Sequence, residues 1–243
     1  TYLFNWMERT LPLEIDSDAG DNVSGQLWMV HGGGFYKVEK QTKPRIMPRT
    51  LHWFKWESAL TWISGMFLLI IVYYMGGLML EQDSEMSELT ASLIGIGVLI
   101  LGYGAYHLLW NSPLGTNEIV GSIISFILII ALFSGLDLLF SSRAAMMHIG
   151  AVFGTIMTAN VWMTILPVQR KMIASVENNE PPDMSLAIRA KRCSKHNTYM
   201  SVPLIVIMIS SHFPVTTYGN TYNWLILGGF ILLGWLAAKW MRG

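Results

Sequence analysis

The sequence predicts an all-α integral membrane protein: a bundle of six complete transmembrane helices, preceded by the end of a truncated earlier helix and by a long cytoplasmic loop. Of its 243 residues, 52% are hydrophobic and 13% are charged, and the mean hydropathy is +0.42. These values lie outside the usual range of soluble domains. Six apolar segments approach the ~20 residues that cross ~30 Å of hydrocarbon. We therefore treat residues 1–243 as one transmembrane domain.

The elements follow from the order of the apolar runs. Residues 1–7 have the composition of the last turns of an earlier span, and residues 8–51 form a polar loop that is longer than ordinary connections. In this loop, the run Gly32-Gly33-Gly34 favours a plain turn over a ligand contact. The complete spans are predicted at about 53–77, 89–110, 119–140, 144–167, 186–213 and 222–240. The fifth span reaches full length only when its polar start is included.

The charges predict an orientation. If successive spans cross the membrane in alternating directions, 15 of the 16 basic residues lie on one side of the membrane and Arg143 alone lies on the other. The positive-inside rule then makes the basic side cytoplasmic, with the 8–51 loop and the C-terminus. Because the orientation in the membrane accounts for the position of the basic residues, they are not evidence that the protein binds nucleic acid. The single cysteine, Cys193, excludes an intrachain disulfide, and the chain has no CxxCH motif for a c-type haem of its own.

The six histidines divide by predicted depth. His148 and His212 lie near the outer surface on adjacent spans. Two readings stay open for them: axial ligands of a b-type haem, or residues that cap helices and bond neighbours. Near them, Asp137 and Arg143 form either a salt bridge or, for Arg143, a contact to a haem propionate.

The other histidines, His31, His52, His107 and His196, lie on the inner side. Arg192, His196 and Tyr199 share one helical face, and His52 shares another with Lys55 and Trp56. These side chains predict either a pocket for a planar anion or an aromatic, basic belt without a ligand. Glu57 is expected to pair with a basic residue of a neighbouring element.

Five motifs then resemble one family. They are Val30–Tyr36, His52–Glu57, Ser112–Glu118, Gly154–Val161 with Pro167–Lys171, and His196–Tyr199 through Ser211–Pro214. In this order they closely resemble the membrane domain of the bacterial cytochrome c-linked urate oxidases, over almost the whole chain. The family has a further span before this region, resembling helices that carry a histidine, and nearly all of it is absent here. His107 stands where we expect another residue in the family, so we give it no role.

The resemblance implies a multi-pass protein of the bacterial inner membrane that oxidises urate to 5-hydroxyisourate and passes electrons to a c-type cytochrome. A c-type haem would lie on a partner chain or an absent domain. The expected partners are urate, a c-type cytochrome, the lipid bilayer and other membrane subunits. The alternative is a non-catalytic haem-binding or structural subunit of a respiratory or photosynthetic electron-transfer complex.

We map the implied roles onto the two groups of histidines. The expected catalytic residues are His31, His52, Lys55 and His196. The expected substrate-binding residues are Trp56, Arg192 and Tyr199. The expected ligands of a b-type haem iron are His148 and His212.

Overall fold

The computed structural model describes residues 2–11, 15, 20, 22–41, 50–178, 180–181 and 183–242. Lys43, Arg45 and Arg49, which contribute to the predicted basic side, lie outside these residues. The described part consists of eight α-helices and one β-hairpin. The helices are α1 (Tyr2–Thr10), α2 (Lys55–Leu69), α3 (Glu88–Asn111), α4 (Glu118–Asp137), α5 (Ser142–Ala159), α6 (Leu166–Glu177), α7 (Met184–Ser210) and α8 (Asn223–Arg242).

Two wider, π-helical turns adjoin these helices. Ile70–Tyr74 continues α2, and Asn160–Ile165 joins α5 to α6. Among the described residues, five helical segments are long and apolar enough to cross a membrane: 55–74, 88–111, 118–137, 142–177 and 223–242. This composition is compatible with a membrane location.

The predicted fifth span corresponds to α7, which is a continuous helix of 27 residues. Its first half carries Arg189, Lys191, Arg192 and Lys195, so by composition it is not among the five apolar segments. The helix therefore exists as predicted, while its role as a span stays a prediction.

Side-chain caps fix where several helices begin. Ser87 accepts a hydrogen bond from the Thr90 amide at 3.1 Å, and Asn117 accepts one from the Ile119 amide at 3.0 Å. Asp183 accepts bonds from the amide and the hydroxyl of Ser185, at 2.9 and 2.7 Å. The Ser185 hydroxyl lowers the pKa of this carboxyl. Each cap satisfies an amide that has no partner inside the helix.

The loop before α2 contains an unpredicted antiparallel hairpin, β1 (Val23–His31) and β2 (Gly34–Gln41). Gly32 and Gly33 join the strands with φ of 58° and 79°, as a two-residue hairpin turn requires. No atom lies within 4 Å of a Cβ built on either glycine. The prediction of a plain turn is therefore confirmed.

The helices alternate between two ends of the bundle. At one end, Lys195 of α7 pairs with Glu118 of α4, and Arg242 of α8 donates to Asn5 of α1 at 3.4 Å. We call this the basic end. At the opposite end, which we call the far end, Asn223 donates to Asp137 at 3.1 Å.

The core lies around α5. Its residues from Ala144 to Gly150 are all buried, and α2, α3, α4 and α7 pack against it. Trp62 of α2 donates its indole hydrogen to Thr155 of α5 at 3.1 Å. The outward faces of α3, α4 and α8 carry exposed large apolar side chains such as Leu101, Ile119 and Trp240. Such a belt is what a lipid environment requires of a helical bundle.

Candidate functional site

A long cavity of about 1970 Å³ lies between α2 and α7, with α5 as its floor and α1 at its basic end. It is lined along α2 from Glu57 to Tyr73 and along α5 from Arg143 to Thr158. Ligand pockets usually measure ~300–1,000 Å³. The cavity therefore exceeds what one small molecule needs.

The basic end of the cavity carries net positive charge. Among the described residues that line it, the basic ones are Arg9, Lys40, Lys191 and Arg242 and the acidic ones are Glu8 and Glu57. Glu8 already pairs with Lys40. The remaining cations favour an anionic occupant.

His52 lies at the mouth of this end. Its Nε2 is 2.8 Å from Oε1 of Glu57, and its ring meets the edge of Phe54 at 4.6 Å. We predicted that His52 shares a helical face with Lys55 and that Glu57 pairs with a neighbouring element. Both predictions are wrong, because α2 begins only at Lys55 and the turn before it folds His52 back onto the first helical turn.

Three predicted site residues lie away from the cavity lining. His31 ends β1, is exposed and pairs with Gly34 across the hairpin. Lys55 places its ammonium 5.5 Å from the ring centre of Trp56, and Trp56 packs edge-on against Trp162 at 6.0 Å. None of the three predicted residues lines the cavity, so the structure does not bring them together with His52.

His196 faces α3 rather than the cavity. Its Nδ1 is 2.8 Å from the Tyr106 hydroxyl, and its ring lies 4.1 Å from that of Trp110. The cavity is lined instead by Ser194 and Asn197, on another side of α7.

The other two predicted α7 residues, Arg192 and Tyr199, are half-buried and also lie outside the cavity lining. The predicted inner pocket of His31, His52, Lys55 and His196 is therefore not assembled in this arrangement. The catalytic and binding roles of these residues stay predictions.

A buried polar network, which the sequence analysis missed, connects the cavity wall to His196. Asn160 is 2% exposed, and its amide donates to the Tyr106 hydroxyl and to Asn197 Oδ1, both at 2.9 Å. Asn197 in turn donates to the Met157 carbonyl at 3.0 Å. Both asparagines stand in the quoted motifs, so the motifs carried the signal. Asn160 opens a π-helical turn, a feature frequent at functional sites.

The direction of these hydrogen bonds limits what the network can do. The Tyr106 hydroxyl accepts from Asn160 and is also bonded to His196 Nδ1, in the direction that the tautomer of the imidazole sets. Asn160 donates both towards the cavity wall and towards Tyr106. Because the two branches start at one donor, the network holds the helices together and offers no continuous path for a proton from the cavity to His196.

His148 is completely buried and fully bonded. Its Nδ1 donates to the Ala144 carbonyl at 2.8 Å, so Nε2 is the acceptor for the Tyr74 hydroxyl, 3.1 Å away. Gly95 leaves room for this pair, because a Cβ there would lie 2.7 Å from His148 Nε2.

The two predicted haem ligands have different surroundings. His148 Nε2, the atom free to bind iron in this tautomer, is taken by Tyr74. His212 is exposed and lines the far end of the cavity, where His148 does not. The haem and its two ligands therefore stay a prediction.

Asp137 and Arg143 do not form the salt bridge that was one reading of the sequence. Asp137 Oδ2 accepts from Asn223, while Asp137 Oδ1 and Arg143 Nε are buried without a hydrogen-bond partner among the described residues. The Arg143 guanidinium lies 5.9 Å from the ring centre of Tyr73. Arg143 lines the cavity at its far end, as Tyr73 does.

Fold and cavity together define a helical protein, compatible with a membrane location, whose large cavity has a cationic end. The family model described as urate oxidase N-terminal matches residues 1–242, and the chain belongs to this family. The family assignment confirms the resemblance and supports a urate-oxidase-related function. No curated protein and no solved structure matches the chain.

Proposed function

We propose that this protein is a membrane oxidoreductase that oxidises urate to 5-hydroxyisourate and delivers the electrons to a c-type cytochrome. Membership of the urate oxidase N-terminal family is the observation that carries the proposal. We place the protein in the bacterial inner membrane, with its basic end in the cytoplasm according to the positive-inside rule.

The basic end of the cavity is the proposed urate site. Urate is a planar anion, and the lining supplies Arg9 and Lys191 as cations that have no ion pair among the described residues. Trp53 and Phe54 add aromatic surface at the same mouth. Cations and flat rings in one cavity are what a planar anion needs for orientation.

The reaction balances without oxygen gas. Urate and one water give 5-hydroxyisourate, two protons and two electrons, so two oxidised c-type cytochromes are reduced for each urate. The oxygen of the water becomes the new hydroxyl group, bonded to C5 of the purine.

His52 is the proposed general base. Its Nε2–H donates to Glu57, which leaves Nδ1 to accept a proton when water attacks. Glu57 orients the ring and stabilises the imidazolium that forms. His52 is the only one of the four predicted catalytic residues that lines the cavity.

The test is urate-dependent reduction of a c-type cytochrome by the purified protein in lipid vesicles, with two cytochromes reduced per urate. We expect His52→Gln to lower kcat by about 100-fold or more, the usual scale for loss of a general base. Lys191→Gln should mainly raise KM. Retention of wild-type kcat by His52→Gln would overturn the assignment of the base.

His107→Gln is the matched control, because His107 is exposed on α3 and lies outside the cavity lining. We expect its kcat and KM to equal those of the wild type. If the wild-type protein gives no urate-dependent reduction, the enzyme proposal fails, and the alternative of a non-catalytic subunit takes its place.

A further inference from the structure

Among the described residues, no carboxylate forms an ion pair with the guanidinium of Arg143. This arginine is the only basic residue that the sequence places on its side, and it forms no ion pair within the described residues. Its Nε is buried without a hydrogen-bond partner, and the guanidinium bonds the neutral side chain of Tyr73. At the far end of the cavity, the described lining contains Arg143 and His212 and no carboxylate. A cation without a counter-ion at a membrane boundary is costly unless an anion is bound there.

The cavity wall next to Arg143 is apolar. It is formed by α5 and α7, and its side chains include Met147, Leu204 and Met208. Gly150 and Gly154 let α7 pack closely on α5, because Met208 and Leu204 lie directly over them. A small anion bound at Arg143 would leave most of this apolar wall uncovered. A ligand that fills the site therefore needs an apolar part as well as a negative charge.

The geometry points to an anionic phospholipid whose phosphate lies between Arg143 and His212 and whose acyl chain runs along α5. From Met147 to Thr158 the floor measures about 16 Å at ~1.5 Å per residue. This equals about half of the ~30 Å hydrocarbon thickness, which is the depth of one leaflet. The anionic headgroup therefore matches the charged end of the cavity, and the acyl chain matches the length of its apolar wall.

The volume of the cavity agrees with two occupants. About 1970 Å³ is roughly twice the upper end of the ~300–1,000 Å³ range of single-ligand pockets. The lipid would occupy the far half and leave the basic end for a polar molecule. Its binding does not depend on urate chemistry and can be measured without it.

The experiment is native mass spectrometry of the purified protein after delipidation and addition of phosphatidylglycerol or phosphatidylcholine. We expect one phosphatidylglycerol to stay bound per chain and phosphatidylcholine to be removed by the same detergent wash. Arg143→Gln should weaken phosphatidylglycerol binding at least tenfold. Lys171→Gln is the control, because Lys171 is exposed and lies outside the cavity lining, and it should bind as the wild type does.

A second variant tests lipid binding without changing Arg143, in case Arg143→Gln does not fold. Gly154→Leu keeps the cation and fills the wall, since a Cβ at Gly154 meets only Leu204, at 3.6 Å. It should also lose the lipid, with an unchanged helical circular dichroism spectrum. Equal retention of both lipids, full binding by Arg143→Gln, or recovery of a quinone in place of the phospholipid would each overturn the inference.

Discussion

The Tyr106 hydroxyl and Nδ1 of His196 form a hydrogen bond of 2.8 Å, and this bond holds the imidazole against α3. His196 therefore stabilises the contact between α3 and α7 instead of reaching the cavity. The sequence places His196 on a face with Arg192 and Tyr199, but it does not say which neighbour that face meets.

Replacing Tyr106 with phenylalanine tests this role. The Tyr106→Phe variant removes the hydroxyl that bonds His196 and accepts from Asn160, so we expect a loss of about 1 kcal/mol in the free energy of unfolding. Because neither Tyr106 nor His196 lines the cavity, kcat for urate should stay within twofold of the wild type. A large fall in kcat at normal stability would restore His196 to the catalytic site.

Asn160 has a larger structural role. Its removal in Asn160→Ala leaves Asn197 Oδ1 and the Tyr106 hydroxyl without their buried donor, and we expect a cost of about 1–3 kcal/mol. The measurement is reversible unfolding in detergent by tryptophan fluorescence. Asn178→Ala, at an exposed position after α6, is the control and should change stability by less than about 0.5 kcal/mol.

Two glycines of α3 form a matched pair. In Gly95→Ala the new Cβ would lie 2.7 Å from His148 Nε2 and 2.8 Å from the Tyr74 hydroxyl, so the bond between them must break or shift. We expect a destabilisation of about 1–3 kcal/mol, the usual cost of overpacking. Gly97→Ala meets nothing within 4 Å and should be neutral. Equal melting temperatures for the two variants would contradict the packing described here.

The cap of α7 should depend on pH. The pKa of the Asp183 carboxyl is lowered by the Ser185 hydroxyl, so its stabilising effect is present above the ordinary carboxyl pKa of ~3.9. It is lost as the pH falls through the lowered value. Amide exchange at the start of α7 should accelerate there relative to Asp183→Asn, in which the cap cannot titrate. Equal pH profiles for the two proteins would exclude this effect.

The predicted haem has a spectroscopic test. If His148 and His212 hold the haem iron, as the sequence predicts, His148→Ala and His212→Ala should each remove a low-spin haem absorption band of the purified protein. An unchanged band in either variant would exclude that histidine as a ligand.

Much of the helical architecture could be predicted. The apolar runs placed the starts of α2 to α5 within about two residues of their observed positions, because the runs begin close to the observed caps Ser87, Asn117 and Ser141. The hairpin was missed because the length of the loop says nothing about strand pairing. Its signal was the pair Gly32 and Gly33 between two short apolar runs.

The candidate site was only partly predictable. His52 was identified from its residue type and position at a helix start, which sequence displays directly. The direction in which His196 points depends on how α7 is rotated against α3, and the bonds of His148 depend on Tyr74 and Gly95, far away in the chain. Such relations between distant segments are set by packing, which spacing along one helix cannot provide.

The π-helical turn Asn160–Ile165 also acts as a one-residue insertion in an otherwise regular helix. Successive residues of an α-helix are rotated by about 100°. The wider turn takes up that residue, so deleting one residue of it would restore a regular helix and leave α5 and α6 facing as before. Deleting a residue between the turn and Gln169 would instead rotate the rest of α6 by about 100°. Gln169, which lines the cavity, would then face away from it. Length changes are therefore tolerated within this turn better than next to it.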